Sequence, residues 1–426
     1  MKLLGVIEGF YGPPWTVAQR ERLFSRMAGW GMETYLYAPK DDPWHRQHWR
    51  EPYPAAQAQA LSDLAAAARS QGVRVVYALS PGLDLDWSSA EDRAALSGKF
   101  LQVAALGITD FALLFDDIPY SDDRAAQARV QVEAAHVVVD SLWPQGQAGL
   151  FLFCPTEYCG DRAVPSVPES PYLHALGRGL RDGIEVFWTG PQVVSPTISV
   201  ESILEVNAVL RRPALLWDNL HASDYTLHRL HLGPYAGRPL ALRDHLAGIL
   251  SNPNTPLEPN TPGLHSLAEY AHAPADWTPT DSLERALVAW LPDFGARPDD
   301  MDLLPGLRVL ADSLYLPGEL GPRAQALLEA AQALTVGATA HDHTTLAQEL
   351  REAASALARV LRALEAGRNR DLLFDLHPFL ADLIQELHRL SAPVLGAGVD
   401  DPAEFTYRGS LGDRLLALDA ALLRKP

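Results

Sequence analysis

The chain has 426 residues, 47% of them hydrophobic and 21% charged, with a formal net charge of −18. Its length exceeds one ordinary domain and predicts a barrel of roughly 250 residues with a smaller partner. The acidic balance argues against nucleic acid and membrane partners, because phosphate backbones and anionic lipids repel such a surface unless a local basic patch reverses it.

Met1 and Lys2 precede an apolar stretch, Leu3 to Ile7, that Glu8 and Gly9 interrupt. This falls far short of a signal-peptide core, and no later run approaches the roughly 18 apolar residues of a membrane span, so a cytoplasmic location is expected. The two cysteines, Cys154 and Cys159, make no disulfide framework and are too few for a cysteine zinc site. Both read as structural thiols beside a pocket.

A strand-then-helix rhythm begins at once. Leu3 to Glu8 reads as the first strand, followed by a Gly- and Pro-rich loop and a helix from about Val17 to Trp30. Thr34 to Ala38 is the second strand and ends at Pro39 and Lys40. A helix over Ala55 to Gln71 leads to the third strand, Arg74 to Leu79, and a helix near Ala90 to Leu106 precedes the fourth.

The fourth strand, Phe111 to Phe115, is a continuous apolar run too short for a helix, as expected of a strand buried on both faces. It ends in Asp116, Asp117, Ile118 and Pro119. Neighbouring side chains of a pleated strand point to opposite faces, so two adjacent acids share a pocket only where the pleat breaks down. Pro119 is the expected cause, since it lacks the ladder donor and biases Ile118 towards a turn. Two such carboxylates suit acid–base work in which one donates a proton while the other stays charged. A helix N-cap with an acid in its first turn, or a metal site, are the alternatives for the same residues.

A helix over Asp123 to Leu142, capped by Asp122 or Asp123, leads to the fifth strand, Gly149 to Phe153, whose loop carries Tyr158. A helix near Pro171 to Arg181 precedes the sixth, Ile184 to Phe187. Ala214 to Leu216 and Leu246 to Leu250 complete eight. The pattern predicts an α/β fold, a (β/α)8 barrel, with an open doubly wound sheet as the weaker alternative. Lys40, Asp116, Asp117, Tyr158, Trp188, Trp217, Asn219 and Asn252 follow strand ends, where barrel enzymes build their sites.

Past about residue 275 the texture changes. All ten tryptophans lie at or before Trp290, and strand runs give way to Leu and Ala at helical spacing. Leu283, Leu287, Trp290 and Leu291 make one stripe, capped near Asp281. Leu346, Leu350, Leu357, Leu361 and Leu364 make another, on a helix stopping at Gly367. Further helices are expected near Pro322 to Leu334, Asp371 to Leu390 and Leu411 to Leu423. The expected organisation is a catalytic barrel over 1–272 and an all-α helical bundle over 273–426, with Ala273 to Thr280 as linker. His341-Asp342-His343 lies just before a helix start without zinc-type spacing, so no metal is expected. No Gly-rich loop has the pattern that cradles a pyrophosphate, and no organic cofactor is expected.

Five ordered blocks carry a resemblance: Gly5 to Gly12 (GVIEGFYG), Tyr37 to Asp42 (YAPKDD), Leu114 to Ile118 (LFDDI), Trp188 to Pro191 (WTGP) and Trp217 to Asn219 (WDN). Over about residues 3 to 270 the chain resembles family 84 of the glycoside hydrolases, the O-GlcNAcases and bacterial N-acetylglucosaminidases. The resemblance implies a retaining β-N-acetylglucosaminidase in which the sugar's own acetamido oxygen attacks the anomeric carbon, giving an oxazoline. It implies that Asp116 orients the acetamido N–H and that Asp117 is general acid, then base. By the same similarity Gly9 and Lys40 hold ring hydroxyls, Asp224 and Asn252 hold those on the far edge, Tyr158 and Asn219 assist the acetamido group and reacting centre, and Trp217 walls the pocket. Lys40 also has a plainer reading, a salt bridge with Asp41 or Asp42. The implied partner is a GlcNAc-bearing glycoconjugate. The chain departs from the family pattern at Ser223, where relatives often carry Asn. The C-terminal helices match no motif and are left as packing support, a substrate wall or a homodimer contact. A non-catalytic sugar- or partner-binding barrel is the rival from another class, and cell-wall or hyaluronan fragments are the rival substrates.

Overall fold

The computed structural model describes residues 2–226, 228–297, 301–336, 340–395 and 411–416. Eight short strands alternate with helices: β1 (Leu3–Glu8), α1 (Val17–Gly29), β2 (Thr34–Tyr37), α2 (Ala55–Ser70), β3 (Arg74–Leu79), α3 (Ala90–Ala105), β4 (Asp110–Leu114), α4 (Arg124–Leu142), β5 (Phe151–Cys154), α5 (Pro171–Gly179), β6 (Ile184–Trp188), α6 (Val200–Leu210), β7 (Ala214–Asp218) and β8 (Leu246–Ser251). All eight pair in parallel, in sequence order, and β8 closes on β1 through Leu3 opposite Gly248 and Val6 opposite Ser251. The structure is therefore the closed barrel of the expected α/β class. The strands are unbroken apolar runs because one face packs the barrel interior and the other the surrounding helices. Gly5 is required by crowding, since a Cβ there would lie 1.7 Å from the Thr34 carbonyl oxygen of β2.

Two compact units are present. One takes in the chain to Asp224 with Ala236–Thr255 and Ala268–Ala275 and holds the barrel. The other takes in Tyr225–Tyr235, Pro256–Leu267 and the chain from Asp276 onward. It contains α8 (Pro279–Trp290), α9 (Leu304–Ser313), α10 (Pro322–Val336), α11 (Ala340–Ala366), α12 (Arg370–Ser391) and α13 (Leu411–Leu416), while α7 (Thr261–His272) begins in it. Its core joins Leu287, Trp290, Leu307, Leu310, Leu350, Leu357, Leu376 and Leu380 from four helices, and also Leu230 and Leu232 from the segment after β7.

Several boundaries differ from expectation. β4 ends at Leu114 rather than Phe115, and β6, β7 and β8 run on to include Trp188, Asp218 and Ser251, so Trp188 and Trp217 are strand residues. Helices α6 and α9 were not foreseen. α6 is rich in Val, Ile and Leu and reads equally as strand, yet Ser199 caps it by accepting from the Ser202 amide. α8 is capped by Thr278, whose hydroxyl accepts from the Asp281 amide at 3.2 Å. Asp281 is therefore in the first turn, not the cap. His341, Asp342 and His343 lie within the first turn of α11 rather than before it. Of the helix expected over Leu411 to Leu423, residues 417–423 lie outside the described residues.

Candidate active site

Strand parity places the site. The barrel interior is filled by Ile7, Leu36, Ala38, Val76, Ala78, Ala112, Leu114, Leu152, Cys154, Phe187, Leu215, Trp217 and Leu250, which recur at a spacing of two along β2 to β5 and β7. One further step of two past Ile7, Ala38, Leu114, Trp217 and Leu250 reaches Gly9, Lys40, Asp116, Asn219 and Asn252. These residues share the carboxyl end of the barrel because each continues an inward-facing row.

Asp117 has the wrong parity for that face, and the backbone corrects it. Its φ is +51°, in the left-handed region where a non-glycine residue is uncommon and Asp and Asn are the ones that tolerate it. The break in the pleat falls at Asp117 itself, two residues before Pro119. The kink carries the Asp117 carboxylate towards the β1 and β5 loops: Oδ1 accepts from Tyr158 Oη at 2.7 Å and from Arg162 Nη2 at 2.9 Å, and Oδ2 accepts from Tyr11 Oη at 3.2 Å.

Asp116 has a different environment. It is buried, and the Lys40 ammonium is bonded to its Oδ2. Burial by itself would raise the carboxyl's pKa, but Lys40, helped by the Arg46 charge, outweighs it and holds Asp116 below the usual carboxylate range. Lys40 thus pairs with Asp116 and not with Asp41 or Asp42. Asp42 Oδ2 instead accepts from Tyr37 and Tyr53 Oη, each at 2.8 Å. The second oxygen of Asp116, Oδ1, is buried and has no hydrogen-bond partner. Beside it His45 donates or accepts at the Ala78 carbonyl, 2.8 Å away, and burial with the Lys40 charge lowers its pKa to about 4, so the ring is neutral at physiological pH.

The pocket wall is a connected set. Trp217 stands edge-on to Phe187 at 5.2 Å and donates its indole N–H to Asn219 Oδ1 at 3.1 Å. Asn252 Nδ2 donates to the same oxygen at 3.0 Å, and Asn219 Nδ2 donates to the Val193 carbonyl at 2.7 Å. Asn252 Oδ1 is left buried without a partner. Gly9 lies flat against the indole: a Cβ there would come within 2.6 Å of Trp217 Cζ2. Among the described residues Asp224 makes no hydrogen bond to the other residues foreseen from the sequence. Its Oδ2 accepts from the Tyr11 amide at 3.0 Å, so it joins Asp117 only through Tyr11.

Tyr11, Arg46 and Arg162 were not foreseen as site residues, nor was the ion pair of Asp218 with Arg238. Arg238 grips both oxygens of Asp218, at 2.9 and 2.7 Å, and also donates to the Ser195 and Pro196 carbonyls. It thereby fastens the loops after β6 and β7 together. Tyr11 sits in a quoted motif, but nothing local in the sequence indicates its reach to Asp117. Arg162 lies in a turn 45 residues beyond Asp117, and the pairing of β4 with β5 brings the two loops together. Among the described residues no three His, Cys, Asp or Glu side chains gather as a metal set. No helix among them is long and apolar enough to cross a membrane.

Comparison with known proteins points the same way. Residues 4–298 match the family model described as beta-N-acetylglucosaminidase. The chain is 47% identical over 274 residues to the protein O-GlcNAcases of Rattus norvegicus and Mus musculus, covering 63% of this chain. It spans about 30% of the length of those curated relatives. Among solved structures, a variant of the Thermobaculum terrenum O-GlcNAc hydrolase superposes with a TM-score of 0.85 at 27% identity, over 100% of this chain and 94% of that one. The structure titled CpGH84B gives a TM-score of 0.79 at 25% identity, over 92% of this chain and 68% of that one.

Proposed function

This chain belongs to the beta-N-acetylglucosaminidase family, family 84 of the glycoside hydrolases, and on that premise we propose that it releases terminal β-linked N-acetylglucosamine from a glycoconjugate, of the O-GlcNAc-protein type, by substrate-assisted hydrolysis with retention. The observation that carries this reading is the Asp116 carboxylate: held ionised by Lys40, buried, and with Oδ1 unpartnered. A buried acceptor without a donor costs free energy until something donates to it. An acetamido N–H is such a donor, and the bond increases the electron density on the acetamido oxygen that must attack the anomeric carbon.

Asp117 then gives its proton to the glycosidic oxygen as the C–O bond breaks and the acetamido oxygen bonds to the anomeric carbon, giving a protonated oxazoline whose N–H stays bonded to the Asp116 carboxylate. Asp117 next takes a proton from the water that opens the oxazoline at the anomeric carbon. Two displacements at one carbon leave the configuration unchanged. Tyr158 and Tyr11 support this role by fixing the carboxylate from both oxygens. Trp217, Gly9, Asn219 and Asn252 supply an apolar face and fixed polar atoms suited to a neutral sugar.

The test compares a 4-nitrophenyl N-acetylglucosaminide with the matching glucoside. Turnover of the first alone is expected, since the glucoside lacks the nucleophile. Equal rates would overturn the mechanism, and full activity in Asp117→Ala would remove the acid assignment.

A further inference from the structure

We infer that Arg162 and Arg46 make the leaving-group side of the site selective for an acidic peptide aglycone, a glycosylated Ser or Thr with a carboxylate side chain within a residue or two on either side. This rests on the function proposed above. Whatever touches the proton-donating carboxylate borders the bond being cleaved, and Arg162 touches it directly, Nη2 to Asp117 Oδ1 at 2.9 Å. Arg46 reaches it from the other oxygen, donating from Nη1 to Tyr11 Oη at 2.7 Å while Tyr11 Oη donates to Oδ2.

Neither guanidinium is used up. Asp117 must carry a proton before it can deliver one, and a protonated carboxyl no longer supplies the negative charge that Arg162 is paired with. At that moment Arg162, 27% exposed in its side chain, is a cation at the mouth with its anion gone. Among the described residues Arg46 has no carboxylate within ion-pair distance, and its one side-chain hydrogen bond goes to a neutral phenol, Tyr11 Oη. A substrate carboxylate supplies the counter-charge that each guanidinium then lacks.

The aromatic setting suits a peptide backbone. Exposed Tyr11 (45%) and Tyr120 (39%) border the two arginines. Arg46 stacks over Tyr11 at 5.6 Å, Arg162 over Tyr158 at 4.5 Å, and Arg162 Nη1 donates to Tyr120 Oη at 3.3 Å. The cations reach Asp117 through different oxygens, Arg162 at Oδ1 and Arg46 through Tyr11 at Oδ2, so a peptide with a carboxylate on each side of the glycosylated residue can address both, whereas a single-sugar aglycone with one carboxylate addresses only one. In a chain of net charge −18, the overall field repels acidic peptides, and discrimination in their favour has to come from this local pair.

The experiment measures kcat/KM for two β-GlcNAc-serine peptides differing only by Glu or Gln on both sides of the serine, with 4-nitrophenyl N-acetylglucosaminide as an uncharged reference. The Glu peptide is expected to be favoured about tenfold by the native enzyme. The preference should fall to near unity in Arg162→Gln, fall partly in Arg46→Gln, and be mostly kept in Arg162→Lys. Equal loss on both peptides in Arg162→Gln, with the ratio intact, would mean that Arg162 only steadies Asp117 and would overturn the inference. So would a native ratio of one, turnover of the aryl glycoside without either peptide, or a charge preference confined to a disaccharide bearing a lactyl carboxylate over its amide. Failure to cleave even the aryl glycoside would instead reject the proposed function.

Discussion

Lys40 binds one oxygen of Asp116 and leaves the other, Oδ1, buried and without a donor. The pair polarises the site before any substrate arrives, because the charge is set in advance and the open acceptor has one direction left to bond. Lys40→Met should therefore lower kcat for N-acetylglucosaminides by about 10²- to 10³-fold, the usual effect of deleting one preorganised electrostatic partner. Steady-state kinetics at saturation checks this, and an unchanged kcat with a raised KM would reduce Lys40 to a hydroxyl ligand.

Gly9 has no room for a side chain. In Gly9→Ala the added methyl meets Trp217 Cζ2 at 2.6 Å and Ile7 Cγ2 at 2.8 Å, so the indole must shift. Overpacking of this kind costs about 1–3 kcal/mol, and displacement of the indole disturbs its bond to Asn219. KM is expected to rise about tenfold, with a lowered Tm. Ligand titration and thermal unfolding read the two effects separately.

Arg238 and Asp218 are buried to 0% and 1% side-chain exposure. Arg238→Met removes the counter-charge that grips both oxygens of buried Asp218 and should destabilise by about 3–5 kcal/mol. The double change Arg238→Met with Asp218→Leu should recover much of that loss, since no lone charge remains. Denaturant unfolding of the two variants decides it.

Asp375 on α12 has its pKa raised to about 7, by burial first and then by the charges of Glu258 and Asp371, and its Oδ2 has no partner. A raised folded-state pKa means that the native state holds a proton the unfolded chain has released. The native state then binds more protons than the unfolded state between about pH 4 and pH 7, and stability falls as pH rises through that window. Asp375→Asn should flatten this slope and raise stability at pH 8, by an amount on the order of 3 kcal/mol. Melting curves from pH 4 to 8 test it, and parallel curves for the two proteins would contradict it.

Much of the site was legible from the chain alone, for a local reason. A strand buried on both faces is a run of apolar residues, and the two-residue period continues past its end, so Lys40, Asp116, Asn219 and Asn252 follow from counting along their own strands. Asp117 shows the boundary of that legibility. Adjacency requires the pleat to fail near the acidic pair and Pro119 points to a break just after it, whereas the chain turns at Asp117 itself with φ +51°. Composition and periodicity thus determined the barrel, its eight strands and most of its helices, and placed Lys40, Asp116, Asn219 and Asn252 after strand ends, while Gly9 and Asp224 came from the family resemblance. Only the tertiary structure decided which cations reach the acids: Lys40 chose Asp116 over its neighbours Asp41 and Asp42, and Arg162 met Asp117 from a different loop. Such pairings depend on which strands lie side by side and in what register, β2 to β4 for Lys40 with Asp116 and β4 to β5 for Arg162 with Asp117. That arrangement is set by how the strands pack around a common interior, and no local stretch of sequence contains it.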